Sequence, residues 1–344
     1  MPGMQCAMEA GPCHGIPPLH VSPTTVAREE PSMHLPAAAL VLLCIAAHAV
    51  DAPTPQLLAP GVLSTGDDEW GFTMNPQGDA LWFNKADRGY RVQVIMESRK
   101  DAHGHWQAPR VAAFSGQYRD IDPALSPDGQ YLIFASNRPV HAGAARRKDF
   151  DLWRVERLAD GGWSTPRHLG DAVNGSGSET NSSIAADGTL YFAVSGAQGR
   201  RDLLRARMTR DGYATPEPLP APINSDADES NHWIAPDQSY LLFLSNRRGG
   251  IGENDLYISF RDGNGWRAPR NLGTPVNRPG ASGVFTPFVS TDGRWLYFAE
   301  RRSALDPLPE RALDAAELDA YLRSPGNGQG DLYVMPWSAQ AYRQ

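Results

Sequence analysis

A turn phrase that recurs five times constrains the fold of this chain more than any other feature. Its last residues lie 50 to 59 positions apart. An apolar residue precedes each phrase and a β-rich run that ends in Phe follows it, which is the pattern of a β-hairpin. The five phrases, each Pro-Asp-Gly or a variant of it, are Asn75–Gly78, Ser126–Gly129, Ala185–Gly188, Ala235–Gln238 and Ser290–Gly293.

Two further phrases complete the repeat. An Asp-Leu pair opens a third strand in four of the units, at Asp151, Asp202, Asp255 and Asp331. An aromatic residue three positions before a proline marks the approach to a fourth strand, at Trp106, Trp163, Tyr213 and Trp266. The first unit has no matching Asp, and Tyr90–Ile95 stands in that place. Four short strands in 50 to 59 residues match the size of a propeller blade.

The fifth unit ends without a fourth strand, and the N-terminal part of the chain supplies a matching piece. Thr54–Leu58 resembles Thr165–Leu169, where a fourth strand is expected. We therefore predict an all-β fold, a five-bladed β-propeller of four-stranded blades, closed by an N-terminal strand that completes the last blade. Residues 50–344 then form one propeller domain, although a length of 344 residues alone would suggest two domains.

Residues 1–49 are predicted to be a leader outside the fold. They contain no aromatic residue, and their apolar run at 37–47 is followed by Ala47-His48-Ala49, as in a secretory signal. The run is too short to span a bilayer. We predict a signal peptide whose true start is Met33, and a periplasmic or secreted protein with no transmembrane segment. A disordered tail with an apolar patch, or a lipoprotein anchored at Cys44, is the alternative.

Charge and cysteine usage restrict the partners. The net charge of −7 argues against nucleic-acid binding, which needs a basic surface. Cys6, Cys13 and Cys44 all lie in the leader, so the mature chain is expected to have no disulfide and no thiolate metal site. We expect a monomer with no cofactor. We also expect no metal, because the His-x-His sequence at His103 and His105 fits a solvated loop.

One helical stretch is predicted, at Pro309–Leu322, in an insertion covering about 306–324. Leu313, Leu318 and Leu322 recur near helical spacing. The insertion interrupts the fifth unit between its second and third strands. The pattern leaves open whether the helix packs an apolar stripe on its blade or forms a lid over the pore mouth.

Two stretches, Leu125–Arg138 and Leu242–Tyr257, resemble the Pro-Asp propeller repeat of the TolB family. The resemblance covers roughly residues 54–337 and implies a propeller. Such repeats occur in periplasmic TolB, in envelope proteins beside peptidoglycan-binding domains, in prolyl-oligopeptidase-like peptidases and in oligogalacturonate lyases. In contrast to TolB, we expect five repeats and no separate α/β domain. The chain has no Gly-x-Ser-x-Gly elbow, so serine-hydrolase chemistry is not supported.

An acidic residue recurs nine positions before the end of four turn phrases, and Val284 stands there in the fifth. The four residues are Glu69, Asp120, Glu179 and Glu229. They resemble the acidic funnel of five-bladed glycosidases, which need an acid and base with tuned pKa values. Repetition favours a structural role instead, in which the carboxylates accept hydrogen bonds from loop amides or pair with the arginine column after the second strand. That column contains Arg138, Arg247 and Arg302.

Residues that differ between the units are the better candidates for ligand binding. We predict a ligand-binding face at the pore mouth, because aromatic rings beside arginines can stack on a sugar ring or anchor a peptide. The predicted residues are Trp70, His232, Trp233, Arg247, Arg248 and Phe285. Packing of the aromatic rings between blades, and a buried histidine that is satisfied by hydrogen bonds, are the structural alternatives.

The resulting hypothesis is a non-enzymatic binding module of the periplasm or cell envelope, with a protein, peptide or envelope glycan as its partner. The alternative is a carbohydrate-active hydrolase or lyase that uses the four acidic residues together with His232.

Overall fold

The computed structural model describes residues 53–141, 143–196, 199–279, 283–305 and 307–343, and the predicted signal peptide lies outside them. The helices in this part of the chain are α1 (Ala315–Leu322) and a 3-10 helix (Ala339–Tyr342). The strands are β1 (Gln56–Leu57), β2 (Asp68–Met74), β3 (Ala80–Ala86), β4 (Gln93–Arg99), β5 (Arg110–Val111), β6 (Asp120–Leu125), β7 (Tyr131–Ser136), β8 (Asp151–Glu156), β9 (Arg167–His168), β10 (Ser178–Ile184), β11 (Leu190–Ser195), β12 (Arg201–Ala206), β13 (Met208–Thr209), β14 (Gly212–Tyr213), β15 (Glu217–Pro218), β16 (Glu229–Ile234), β17 (Tyr240–Ser245), β18 (Asp255–Asp262), β19 (Gly265–Trp266), β20 (Arg270–Asn271), β21 (Val284–Val289), β22 (Trp295–Ser303) and β23 (Asn327–Pro336).

These strands form a five-bladed β-propeller, which confirms the predicted fold. Every pairing within a blade is antiparallel, and the first strand of each blade is the innermost. From the inside outward, the blades are β2-β3-β4-β5, β6-β7-β8-β9, β10-β11-β12-β15, β16-β17-β18-β20 and β21-β22-β23-β1. The short strands β13, β14 and β19 extend hairpins at the outer strands of the third and fourth blades.

The second strand of each blade supplies the largest repeated contribution to the core. Its phenylalanine is buried in all five blades, at Phe83, Phe134, Phe192, Phe243 and Phe298. Full burial of such a side chain stabilises the fold by roughly 1.5–3 kcal/mol. The fourth strands begin directly after the repeated prolines, as the sequence pattern predicts, at Arg110, Arg167, Glu217 and Arg270. Strand β1 begins in the same way, directly after Pro55.

The N-terminal segment closes the ring through β1 and Ser64. Strand β1 pairs with β23, with Gln56 opposite Val334 and Leu57 opposite Tyr333. The fully buried Ser64 hydroxyl donates to the Leu332 carbonyl at 3.0 Å and accepts from the Leu332 N–H at 3.1 Å. Two segments 268 residues apart in sequence are therefore joined by backbone pairing and by a buried side chain.

The Ser64 contact is one form of a bracket that recurs around the ring. In three other blades, an asparagine after the fourth strand accepts from and donates to the backbone of the leucine in the Asp-Leu pair of the third strand. Its pairs are Asn174 with Leu152, Asn224 with Leu203, and Asn277 with Leu256, at 2.7–3.1 Å. The bracket satisfies backbone groups where the short fourth strand ends.

The helix begins later than the sequence pattern predicts, at Ala315 rather than Pro309. Asp314 caps it by accepting from the Glu317 N–H, and the Glu317 carboxylate accepts from the Asp314 N–H. This capping box fixes the start of the helix.

No residue of α1 is fully buried, and Leu318 is 45% exposed. Tyr321 and Leu322 are half-buried, and the Tyr321 hydroxyl lies 2.9 Å from Ser303 Oγ in β22, so the end of the helix contacts its blade. Within the described residues, no helix has the length and apolar character needed to cross a membrane.

We predict that Ser64→Ala lowers the free energy of unfolding by about 1–3 kcal/mol, because the buried Leu332 N–H loses its acceptor. Ser338→Ala is the matched control, since Ser338 is exposed and its side chain forms no capping hydrogen bond. Urea unfolding of both variants measures the difference. Equal stability of the two variants would show that the Ser64 contact does not hold the ring closed.

Candidate functional site

The five innermost strands surround a central channel, and each contains a β-bulge at its middle. The register shifts after Trp70, Ile121, Thr180, Ser230 and Phe285. The next residue of each strand has a left-handed backbone, with φ between 42° and 63°. These residues, which we call the polar ring, are Gly71, Asp122, Asn181, Asn231 and Thr286. Gly, Asn and Asp tolerate this conformation, whereas the β-branched Thr286 is strained in it.

Hydrogen bonds between blades hold the polar ring together. The backbone N–H and the side-chain amide of Asn181 both donate to Asp122 Oδ2, at 3.1 and 2.8 Å. The Asn181 amide also donates to Asn231 Oδ1 at 3.3 Å. Between the last and first blades, the Gly71 N–H donates to Thr286 Oγ1 at 3.1 Å. Burial raises the pKa of Asp122 to about 6, although the Asn181 N–H opposes this shift.

The polar ring lies between the two openings of the channel. The inner strands all run in the same direction, so the parts of the five strands that precede the ring lie on the same side of it. Residues before the bulges line one opening together with residues from outside the inner strands. We call this opening the aromatic mouth and define it by Trp70, Tyr90, Phe150, Phe285 and Arg301. Residues after the bulges line the other, which we call the turn-side cavity because residues of four of the five turn phrases line it. Asp122, Asn181 and Asn231 border both openings.

The aromatic mouth spans the seam between the first and fifth blades. The Trp70 and Tyr90 rings meet edge to face, with centroids 5.7 Å apart, and the Arg301 guanidinium lies 5.0 Å from the centroid of Phe285. The Tyr90 hydroxyl donates to Asp68, which also pairs with Arg301 at 3.1 Å. Burial and the neighbouring Asp68 carboxylate raise the pKa of Tyr90 to about 12. The phenol therefore remains a hydrogen-bond donor at neutral pH.

The turn-side cavity has a volume of about 370 Å³ and two unlike walls. Phe72, Trp233 and Phe288 form an aromatic wall, in which Phe72 meets Phe288 edge to face at 5.3 Å and Trp233 meets Phe288 at 6.4 Å. Ser182 and His232 contribute polar groups. No lysine or arginine is among the described residues that line the cavity.

His232 is buried, with 5% of its surface exposed, and burial lowers its pKa to about 4. The imidazole is therefore neutral at pH 7. The nearby backbone of Tyr191 acts to raise the pKa of His232, but this contact does not meet the geometry of a hydrogen bond. Neither ring nitrogen has a hydrogen-bond partner among the described residues, and the same is true of the neighbouring Ser182 hydroxyl. Within the described residues, the His232 ring is thus buried without a hydrogen bond.

The four repeated carboxylates line neither opening, because they are buried inside the blades. Asp120 accepts from Arg138 at 2.7 Å and from Ser136 at 2.6 Å. Glu229 accepts from Arg247 at 3.1 Å and from the Ser225 N–H at 3.0 Å. These contacts have the form expected of a structural carboxylate.

The other two repeated carboxylates lack an arginine clamp. Glu69 accepts from the Thr65 N–H at 2.9 Å and pairs with Lys85 at 3.3 Å. Glu179 accepts from the Gly175 N–H at 3.1 Å, and its Oε2 atom has no hydrogen-bond partner among the described residues. Burial raises the pKa of both carboxyl groups to about 7.

The fifth blade keeps a carboxylate but moves it to the neighbouring strand. Glu300 lies directly opposite Val284 in the pairing of β21 with β22, and it is fully buried. Arg278 donates to it at 2.6 Å and Arg302 at 2.5 Å. Arg302, the third arginine of the predicted column, therefore pairs with Glu300. Comparison of the first strands alone does not find this carboxylate, because it lies in the second strand of its blade.

The six predicted ligand-binding residues do not share one mouth, which corrects the sequence-based grouping. Trp70 and Phe285 lie at the aromatic mouth, whereas His232 and Trp233 follow the bulge and line the turn-side cavity. The remaining two are Arg247 and Arg248.

Those two arginines lie away from both openings. Arg247 is held by Glu229 and by the carbonyl groups of Pro222 and Ile223, and Arg248 is exposed. His103 and His105 lie in an exposed loop. Across the described residues, no cluster of three or more His, Cys, Asp or Glu side chains could hold a metal ion.

Three residues at these openings were missed by sequence reasoning. Tyr90 lies where the first unit departs from the repeat, so the departure itself was a usable signal. Asp122 and Ser182 lie in columns of the inner strand in which the residue type changes from blade to blade. Comparison of these columns between blades would have found Asp122 and Ser182. Their positions relative to the bulge show that Asp122 borders both openings and that Ser182 lines the turn-side cavity.

Comparison with known proteins supports the fold. The sequence matches no protein-family model and no curated protein. The solved structure of a BT0996 complex with RGII matches with a TM-score of 0.51 and 11% identity, over 84% of the present sequence and 92% of the solved one. A candidate TolB from Agrobacterium tumefaciens matches with a TM-score of 0.45 and 16% identity, over 79% of the present sequence and 91% of the solved one. An endo-arabinase from Bacteroides thetaiotaomicron matches with a TM-score of 0.49 and 13% identity, over 82% of the present sequence and 98% of the solved one. At these identities the similarity concerns the fold alone.

We predict that Glu179→Gln stabilises the protein by about 1–3 kcal/mol at pH 8 and changes little at pH 4.5. The pKa of Glu179 is about 7 in the folded protein against an ordinary 4.5, so the folded state binds this proton more tightly than the unfolded chain. The group therefore lowers the free energy of unfolding as pH rises from about 4.5 through 7. Urea unfolding at both pH values measures the effect.

The matched control is Glu229→Gln, which should destabilise the protein by about 2–4 kcal/mol at pH 8, because Arg247 loses its carboxylate partner. Destabilisation by Glu179→Gln at pH 8 would contradict the assignment of Glu179 as a buried carboxylate with a raised pKa.

Proposed function

We propose that the protein is an exported, TolB-like propeller that acts as a non-enzymatic binding module in the periplasm or cell envelope. We infer that it receives a protein, peptide or envelope-glycan ligand at the aromatic mouth. The observation that carries the proposal is the grouping of Trp70, Tyr90, Phe285 and Arg301 around one opening of the channel. These side chains come from the first and last blades, so ring closure assembles them.

The chemistry of this mouth suits an extended ligand with apolar and polar groups. Aromatic rings offer flat apolar faces for sugar rings or peptide side chains. Arg301 and Arg201 are anchored by Asp68 and Asp228 but remain about one-third exposed, so each guanidinium can still donate to a ligand. Anchored arginines and tyrosines are well suited to binding, because they lose little conformational freedom when a ligand arrives.

The carbohydrate-active alternative has less geometric support. Glycoside hydrolysis ordinarily uses two carboxyl groups on either side of the scissile bond. Asp122 is the only carboxylate among the described residues that line the aromatic mouth. The four repeated carboxylates lie inside the blades, and His232 lies beyond the polar ring.

Placement in the envelope rests on the sequence. The apolar run at 37–47 with its Ala47-His48-Ala49 site supports export, and the sequence after the predicted leader has no cysteine. The TolB-like repeat phrases support a role in the envelope.

We predict that the protein binds at least one member of a panel of muropeptides and envelope oligosaccharides, or captures a partner from an envelope extract. Tyr90→Ala and Phe285→Ala should each weaken that binding by about 10- to 30-fold, because contact aromatics are frequent hot spots. Trp295→Ala is the matched control, since Trp295 is 41% exposed and lines neither opening. Isothermal titration calorimetry measures the affinities for panel members, and surface plasmon resonance those for a captured protein.

The same panel tests the alternative. If the wild type releases shortened oligosaccharides and Asp122→Asn does not, the protein is an enzyme and the binding-module proposal is wrong. Binding that is unchanged in both mouth variants would place the ligand elsewhere on the propeller.

A further inference from the structure

Ser182 and His232 occupy the same position in adjacent blades, two residues before the end of the innermost strand. The other three blades have Phe72, Pro123 and Pro287 at this position. All five side chains line the turn-side cavity. One ring of positions therefore has two adjacent polar residues and three apolar ones, which no requirement of the repeated blade explains.

The two polar residues have no hydrogen-bond partner within the described part of the protein. The unpaired atoms are Ser182 Oγ and both ring nitrogens of His232, and both side chains are more than nine-tenths buried. Other buried polar groups nearby are satisfied: Ser183 Oγ accepts from the Ile234 N–H at 3.0 Å, and Thr73 Oγ1 accepts from the Leu125 N–H at 3.1 Å. Leaving such groups unpaired destabilises a folded protein, so each instance calls for an explanation.

The rest of the cavity indicates what would pair with them. The aromatic wall of Phe72, Trp233 and Phe288 faces the same space. The described lining contains no cation, and His232 is neutral at pH 7, so the cavity offers no counter-charge to an anionic ligand. A neutral imidazole has one donor and one acceptor, and a serine hydroxyl has both functions. Sugar hydroxyl groups match this set, and the C–H faces of a sugar ring match the aromatic wall.

We propose that the turn-side cavity binds an uncharged sugar of one or two rings, with Ser182 and His232 pairing with its hydroxyl groups and Phe72, Trp233 and Phe288 contacting its apolar face. The volume of about 370 Å³ lies at the lower end of the range of ligand pockets. This site lies across the polar ring from the aromatic mouth. Neither the site nor its test depends on the function proposed for that mouth.

The test titrates the full-length protein with neutral monosaccharides and disaccharides, and with the uronic acids of the same sugars, by calorimetry and by Trp233 fluorescence. We expect a neutral sugar to bind and its uronic acid to bind at least tenfold more weakly. Ser182→Ala and His232→Phe should each weaken the binding at least tenfold. The matched controls are Ser338→Ala and His105→Phe, at exposed positions outside the cavity, and they should leave affinity unchanged.

Thermal unfolding separates a binding role from a structural one. Since Ser182→Ala and His232→Phe remove unpaired buried polar atoms, we expect each variant to unfold at a temperature equal to or above that of the wild type while it loses sugar binding. Absence of binding to every neutral sugar, or binding that persists in both variants, overturns the proposal. Binding that is lost in Tyr90→Ala and Phe285→Ala, but not in the cavity variants, assigns the sugar to the aromatic mouth and also overturns it.

Discussion

The bulge at the middle of each innermost strand is the constraint on which the channel depends. It places one residue per blade in the left-handed region and so brings the polar ring of Gly71, Asp122, Asn181, Asn231 and Thr286 to the channel axis. Because the inner strands all run through the channel in the same direction, residues before the bulges lie toward one opening and residues after them lie toward the other. The polar ring, with one residue from each blade, thereby lies between two chemically different surfaces on a single scaffold.

Recurring positions within the repeat stabilise the scaffold, and departures from the repeat supply the candidate sites. A buried carboxylate and a second-strand phenylalanine occur in all five blades, and the asparagine bracket occurs in three of them, so these positions serve the blade itself. Glu300 illustrates this need, since the fifth blade recovers a buried carboxylate from its second strand when the first strand has Val284. Tyr90, Ser182 and His232 are departures, and all three lie at the channel.

Much of the fold could be predicted from sequence because its determinants are local. The turn phrases and Asp-Leu pairs fix hairpins over a few residues, and the proline before each fourth strand identified Pro55 and β1 as the closure. The grouping of His232 and Trp233 with Trp70 failed because a bulge of one residue carries no distinct sequence signal at Asn231. The start of α1 was misplaced for a different reason: Asp314 and Glu317 have the spacing of a capping box, which the sequence shows, but the predicted start is Pro309.

We propose that the polar ring separates two ligand surfaces, and that the turn-side cavity is a recognition site rather than a gap left by packing. A crystallographic screen of small neutral fragments against the wild-type protein tests this claim most directly. We expect fragments within hydrogen-bonding distance of Ser182 Oγ and a His232 ring nitrogen, with an apolar face against Trp233 or Phe288. Fragments found only at the aromatic mouth or on the outer blade surfaces, with the cavity holding solvent alone, would contradict it.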